Sequence, residues 1–178
     1  MMEKFARTIV GYHGCDRRFA KAVLSGETPI SDWKPSQNQY DWLGEGVYFW
    51  EHSPRSALRW AEEKYNEEAD VLGAVIQLGS CLDLLDEGIA DLLAHSYQTF
   101  RDTLTAAGIP LPINHGKGLK MRDLDCAVIN NCVNQLQTQG TVFDTVRGAF
   151  LEGEPLFPAL PFPGKPISRL RFGMPIAS

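Results

Sequence analysis

Two stretches of helical period lie in the second half of this chain, with short runs of strand character before and after them. From residue 87 to 107, Ile89, Leu93, Tyr97, Phe100 and Leu104 recur at steps of three and four, and Gly108 with Pro110 ends the pattern. Leu124, Val128, Cys132 and Leu136 repeat that spacing and predict a second helix over about 122–137. Strands are predicted at 7–13, 46–50 and 71–78 near one end and at 141–151 near the other, the 71–78 strand as a buried one. Strands gathered at both ends with helices between them favour an α+β fold over a regular βαβ array.

The local start and stop signals fit this order. Asp16 is placed to cap a helix through Phe19, Ala20, Val23 and Leu24 that stops at Gly26. Ser53 with Pro54 opens another, whose apolar face is Ala57, Leu58, Ala61 and Tyr65. A loop over residues 28–41 separates the first helix from the second strand. Six of the eleven prolines fall within 155–178. Proline fixes φ and supplies no backbone donor, so this segment is expected as extended coil and not as a central strand. The resulting division is a domain over 1–154 and a proline-rich tail over 155–178.

Composition narrows the function classes. One soluble domain is expected from 178 residues, which should bury roughly 70% of the surface of the unfolded chain. No apolar run approaches the ~20 residues of a membrane helix, and the N-terminus has no secretory core, so no membrane partner and a cytoplasmic location are expected. The four cysteines have no zinc spacing, which predicts reduced thiols and no metal site. With 22 acidic against 17 basic residues, the chain lacks the footprint of a dedicated nucleic-acid binder.

Four features stand out as carriers of chemistry: Tyr12-His13-Gly14, the stretch from Trp42 to Phe49, the helix opening Ser53-Pro54-Arg55-Ser56, and Glu152-Gly153-Glu154. Each has an ordinary reading. A lone histidine at a strand end is more often a hydrogen-bonded structural residue, and alternate aromatics of a strand are by default core. Gly44 and Gly46 suit a tight turn, and the two glutamates suit a solvated loop.

Their order from Tyr12 to Ala61 resembles the ADP-ribosyltransferase superfamily, in particular the diphtheria-toxin-like branch that includes the poly(ADP-ribose) polymerases and uses a His-Tyr-Glu triad. The matching stretches are Tyr12-His13-Gly14, Gly44-Glu45-Gly46-Val47-Tyr48-Phe49, and Ser56-Ala57 eight residues beyond the tyrosine. The resemblance implies an α+β fold of two small sheets, a split sheet with flanking helices around a cleft that holds NAD. It implies an NAD-dependent glycosyltransferase that releases nicotinamide and passes ADP-ribose to a protein or nucleic-acid acceptor. Many bacterial members are toxins or effectors, so a neutralising antitoxin or immunity partner is implied with it.

Residue by residue, the resemblance has His13 bond an NAD ribose hydroxyl and Tyr48 stack on nicotinamide, an aromatic face toward a cationic ring. Gly14 admits the carboxamide to the backbone, Ser56 adds a hydroxyl bond, and Gly44 and Gly46 leave room for the dinucleotide. Arg17 and Arg18 are candidates for the diphosphate. The family's glutamate corresponds to Glu154, slightly preferred, or Glu152. Beyond them the chain departs from the family, with prolines where a core strand is expected; truncation, a different third residue, or loss of transfer with NAD binding retained are the consequences left open. Two other classes compete: a cysteine hydrolase with Cys15 as nucleophile and His13 as base, and an inactive NAD- or partner-binding module of the same fold.

Overall fold

The computed structural model describes residues 5–116, 119–152 and 169–176. Its strands are β1 (Phe5–Asp16), β2 (Val47–Glu51), β3 (Ala69–Gly79), β4 (Cys81–Asp83), β5 (Thr145–Glu152) and β6 (Arg169–Ile176), and its α-helices are α1 (Arg17–Leu24), α2 (Pro54–Tyr65), α3 (Glu87–Ala106) and α4 (Asp123–Thr138). The strands form one six-stranded sheet in the order β3-β1-β2-β6-β5-β4, antiparallel except for the β4–β5 pair. The α+β class therefore holds. Where two small sheets were expected, the described strands join in a single one.

Two other sequence expectations are corrected. Residues 169–176, within the segment expected as coil, form the central strand β6 between β2 and β5. The proline run ends at Pro166, so all but the end of β6 can donate to a ladder, and Pro175 falls one residue from the strand's end, opposite Tyr48. β3 is not buried on both faces: it lies at the edge of the sheet, with Leu72, Ile76 and Leu78 inward and Val75 76% exposed. Its apolar run mimics a core strand because small and branched residues fill both rows. β4, only three residues long, leaves no periodic signal in the sequence.

The pleat sorts the core into two layers. Ile9, Val47, Phe49, Ile76, Leu78 and Cys81 pack on one face. On the other, Leu43, Leu82, Ile129, Phe143 and Val146 meet Tyr48 and the inward stripes of α3 and α4, among them Ile89, Leu93, Val133 and Leu136. A smaller cluster of Cys15, Ala20 and Leu72 with Phe19, Val23 and Trp33 seats α1. Asp16 caps that helix as its sequence predicts, accepting from the backbone N–H groups of Arg18 and Phe19 at 3.0 and 2.9 Å. Ala57 and Ala61 are fully buried on α2, while Leu58, expected on the same face, is 39% exposed.

No helix among the described residues is long and apolar enough to cross a membrane.

Candidate functional site

β1 and β2 are antiparallel neighbours, with Tyr12 opposite Trp50 and Gly11 opposite Glu51. This register brings the two separated motifs together. The His13 ring donates from Nδ1 to the backbone carbonyl of Tyr48 at 2.9 Å. A carbonyl only accepts, so this bond places the proton on Nδ1 and leaves the Nε2 lone pair as an acceptor. Burial lowers the His13 pKa and keeps the ring neutral. Its walls are aromatic: Trp33, Phe49 and Phe19 have ring centroids 5.2, 5.5 and 6.1 Å away. Trp33 comes from the loop over 28–41, and its indole Nε1 is buried with no hydrogen-bond partner among the described residues.

Tyr48 points away from that aromatic group, because adjacent residues of a strand face opposite sides of a sheet. Its hydroxyl donates to the carbonyl of Gly44 at 2.6 Å and accepts from Leu43 N–H at 2.9 Å. Burial raises its pKa, so the phenol stays protonated. Gly14 lies tight against the first turns of α2: a Cβ there would sit 2.4 Å from the Ala57 carbonyl oxygen and 3.2 Å from the Trp60 ring. Ser56, one residue before Ala57, is buried and bonded through Oγ to Ser53 Oγ at 2.6 Å. Ser53 thus occupies the cap position but spends its hydroxyl on Ser56, with no cap bond to the backbone.

The backbones of His13, Gly14, Tyr48 and Ser56 are therefore brought close by β1, β2 and α2, with Gly14, Tyr48 and α2 on one face of the sheet and the His13 ring on the other. The glycines of the Tyr48 segment serve a turn. Gly44 has φ +83°, and a Cβ on it would meet Asn130 Oδ1 at 2.3 Å, the same atom that accepts from Glu45 N–H. Gly46 pairs with Ser36 through two backbone hydrogen bonds of 2.8 and 3.1 Å. Arg17 is exposed and turned to Glu67 and Glu68, and Arg18 is exposed.

The late acids are placed differently. Trp50 is opposite Gly173 of β6, and Gly173 is opposite Gly148 of β5. Glu152 is four residues past Gly148, roughly 13 Å along the strand in the direction away from His13 and Tyr48. Glu154 lies outside the described residues.

A group that the sequence reading missed sits on the sheet face that His13 shares. Arg147 is 9% exposed and donates to Glu51 at 2.8 Å and to Asp83 at 3.0 Å. Leu78, Cys81, Asp83 and Arg147 line part of a cavity of about 300 Å³ beside it. The signal was present in the alternation: Glu51 continues the Val47-Phe49 row, Asp83 the Cys81 row and Arg147 the Thr145 row, so each puts a charge where an apolar residue would fit. Their pairing across residues 51, 83 and 147 was not legible.

Cys15 is 3% exposed, and burial pushes its thiol up to about 11, so at neutral pH it is neither a thiolate nor accessible. This geometry removes the basis of the cysteine-hydrolase reading. Among the described residues, no group of three His, Cys, Asp or Glu side chains is arranged to hold a metal ion.

No protein-family model, curated protein or solved structure matches this chain.

Proposed function

We propose that this protein is an NAD-dependent ADP-ribosyltransferase, with an ADP-ribosyltransferase-like arrangement of its α+β fold. The observation that carries the reading is the 2.9 Å bond from His13 to the Tyr48 backbone, which joins the Tyr-His-Gly and Gly-x-Gly-Val-Tyr-Phe segments on neighbouring strands. Both segments resemble those of the family. The close approach of Gly14 to the α2 turn that bears Ser56 supports the same reading.

In this reading NAD is a co-substrate. Breaking its nicotinamide–ribose bond leaves an oxocarbenium-like ribose, and the acceptor's nucleophile then forms the new bond to that carbon and loses its proton. His13, neutral and with Nε2 free as an acceptor, would take a hydrogen bond from a ribose hydroxyl. Gly14 and Ser56 would hold the carboxamide, the Tyr48 ring would lie against nicotinamide, and Gly44 and Gly46 would shape the turn beside the dinucleotide. Glu154 would polarise the ribose. A macromolecular acceptor, protein or nucleic acid, a toxin or effector setting with a neutralising partner, and a cytoplasmic location complete the proposal.

One observation favours a second reading, an NAD- or partner-binding module without transfer: the register carries Glu152 away from His13 and Tyr48. Purified protein incubated with NAD separates the two, with nicotinamide release followed chromatographically and NAD binding by calorimetry. Release that is lost in Glu154→Ala or Glu152→Gln while NAD still binds supports the transferase. Binding without release, with labelled NAD transferred to neither protein nor RNA of a cell extract, supports the module. Absence of NAD binding overturns both.

A further inference from the structure

We propose that Trp33 is a second contact for the hydroxyl that His13 would bind, its indole N–H donating to the same ribose oxygen whose proton goes to His13 Nε2. The inference deepens the NAD reading and rests on it. Trp33 Nε1 is buried with no hydrogen-bond partner among the described residues. Folded chains rarely leave a donor in that state, because a shielded N–H without an acceptor costs stability. Packing alone does not ask for that nitrogen. Trp33 stacks on Phe49 at 6.0 Å and 14° and meets Phe19 in a T-shaped contact at 5.1 Å, contacts that a phenylalanine ring could also make.

The complementary atom lies beside it. The Nδ1 proton of His13 is committed to the Tyr48 carbonyl, so Nε2 offers a lone pair and no proton. The His13 and Trp33 ring centroids are 5.2 Å apart at a tilt of 43°, a span close to that of two hydrogen bonds of about 2.9 Å meeting at one oxygen. An unpartnered donor and an acceptor at this separation select the group between them. A hydroxyl gives one proton and accepts another, so it satisfies both nitrogens at once. A phosphate or carboxylate oxygen would turn a lone pair toward Nε2, and an ammonium would turn a proton toward Nε1. The backbone bonds around Trp33 are local, with Asp32 N–H donating to the Pro29 carbonyl at 3.0 Å and Trp33 N–H to that of Ile30 at 3.1 Å. The indole can therefore tilt toward an entering hydroxyl without breaking a strand pair.

Calorimetric titration of the full chain is the test, with NAD and with analogues in which the 2′- or 3′-hydroxyl of the nicotinamide ribose is replaced by hydrogen. Trp33→Phe, which keeps a ring on Phe49 and deletes the N–H, should bind NAD roughly five- to tenfold more weakly than wild type. One of the two analogues should lose affinity for wild type, and lose less of it for Trp33→Phe. The wild-type chain gives an independent reading. Its four tryptophans supply four indole N–H signals in a nitrogen-15 spectrum, assigned through single Trp→Phe variants. The Trp33 proton should move downfield as NAD saturates the site, the sign of a donor that has gained an acceptor. Equal affinities of wild type and Trp33→Phe, or an unmoved Trp33 signal, mean that the N–H meets only the Phe19 ring or a water; either overturns the proposal and leaves the NAD reading in place. A wild type that does not bind NAD overturns that reading and the proposal with it.

Discussion

The imidazole of His13 holds the backbone carbonyl of Tyr48 at 2.9 Å, a bond between residues 35 positions apart that fixes both the histidine tautomer and the alignment of β1 with β2. The consequence for stability is pH-dependent. Burial lowers the folded-state pKa of His13 below its ordinary value of 6.5, so the unfolded chain binds the proton first as pH falls. The stability due to neutral His13 is complete above about pH 6.5 and drains away below it. The urea midpoint of wild type should fall between pH 7.5 and 5.5 by more than that of His13→Asn, which retains a donor near Nδ1 but does not titrate; equal falls would remove His13 as the cause.

Tyr48→Phe keeps the ring and deletes a hydroxyl that serves Leu43 N–H and the Gly44 carbonyl. Leaving these groups unsatisfied should cost about 1–3 kcal/mol in urea unfolding. Tyr48→Ala, which also empties ring volume beside Leu43 and Leu82, should cost about 3–5 kcal/mol. Nicotinamide release should therefore be compared in Tyr48→Phe, where the fold is retained, before a loss in Tyr48→Ala is assigned to the site.

Gly14→Ala would place a methyl group 2.4 Å from the Ala57 carbonyl oxygen, a backbone atom that cannot rotate aside. α2 must move off β1, at roughly 1–3 kcal/mol. Ser56 moves with that turn, so on the proposed reading NAD affinity measured by calorimetry should fall in parallel. A variant with native stability would show that α2 adjusts freely.

Arg147→Met should be about as damaging as Tyr48→Ala, since it strands the Glu51 and Asp83 carboxylates, of which Glu51 has a side chain 8% exposed. Removing one member of a buried ionic group costs about 3–5 kcal/mol. The triple change Arg147→Met, Glu51→Gln, Asp83→Asn should recover part of that loss. Chemical denaturation of the two proteins side by side reads the difference.

All four thiols should resist a thiol reagent at pH 8 until the chain unfolds. Each cysteine is buried, and burial pushes Cys15 and Cys126 up to about 11. Four equivalents should react in denaturant, and a fast-reacting thiol in the native protein would contradict the core described.

Features that depend on near neighbours could be read from the chain alone. Asp16 as a cap, Pro54 at a helix start, the period of α3 and α4, and the Gly44 turn all follow from residues within a few positions of one another, where backbone geometry and local hydrogen bonds decide. The segments bearing His13, Gly14, Tyr48 and Ser56 stood out through short motifs that carry a family resemblance. Long-range pairings emerge only in the folded chain: that β1 and β2 lie side by side, that Arg147 reaches Glu51 and Asp83, and that Trp33 covers His13. The proline-rich segment shows the limit most clearly. Its composition argues for coil, yet residues 169–176 complete the sheet, because the open edges of β2 and β5 each gain a row of hydrogen bonds from a strand between them. The same register sets Glu152 apart from Tyr48, a separation fixed by strand pairing across the sheet that no local pattern in the chain could encode.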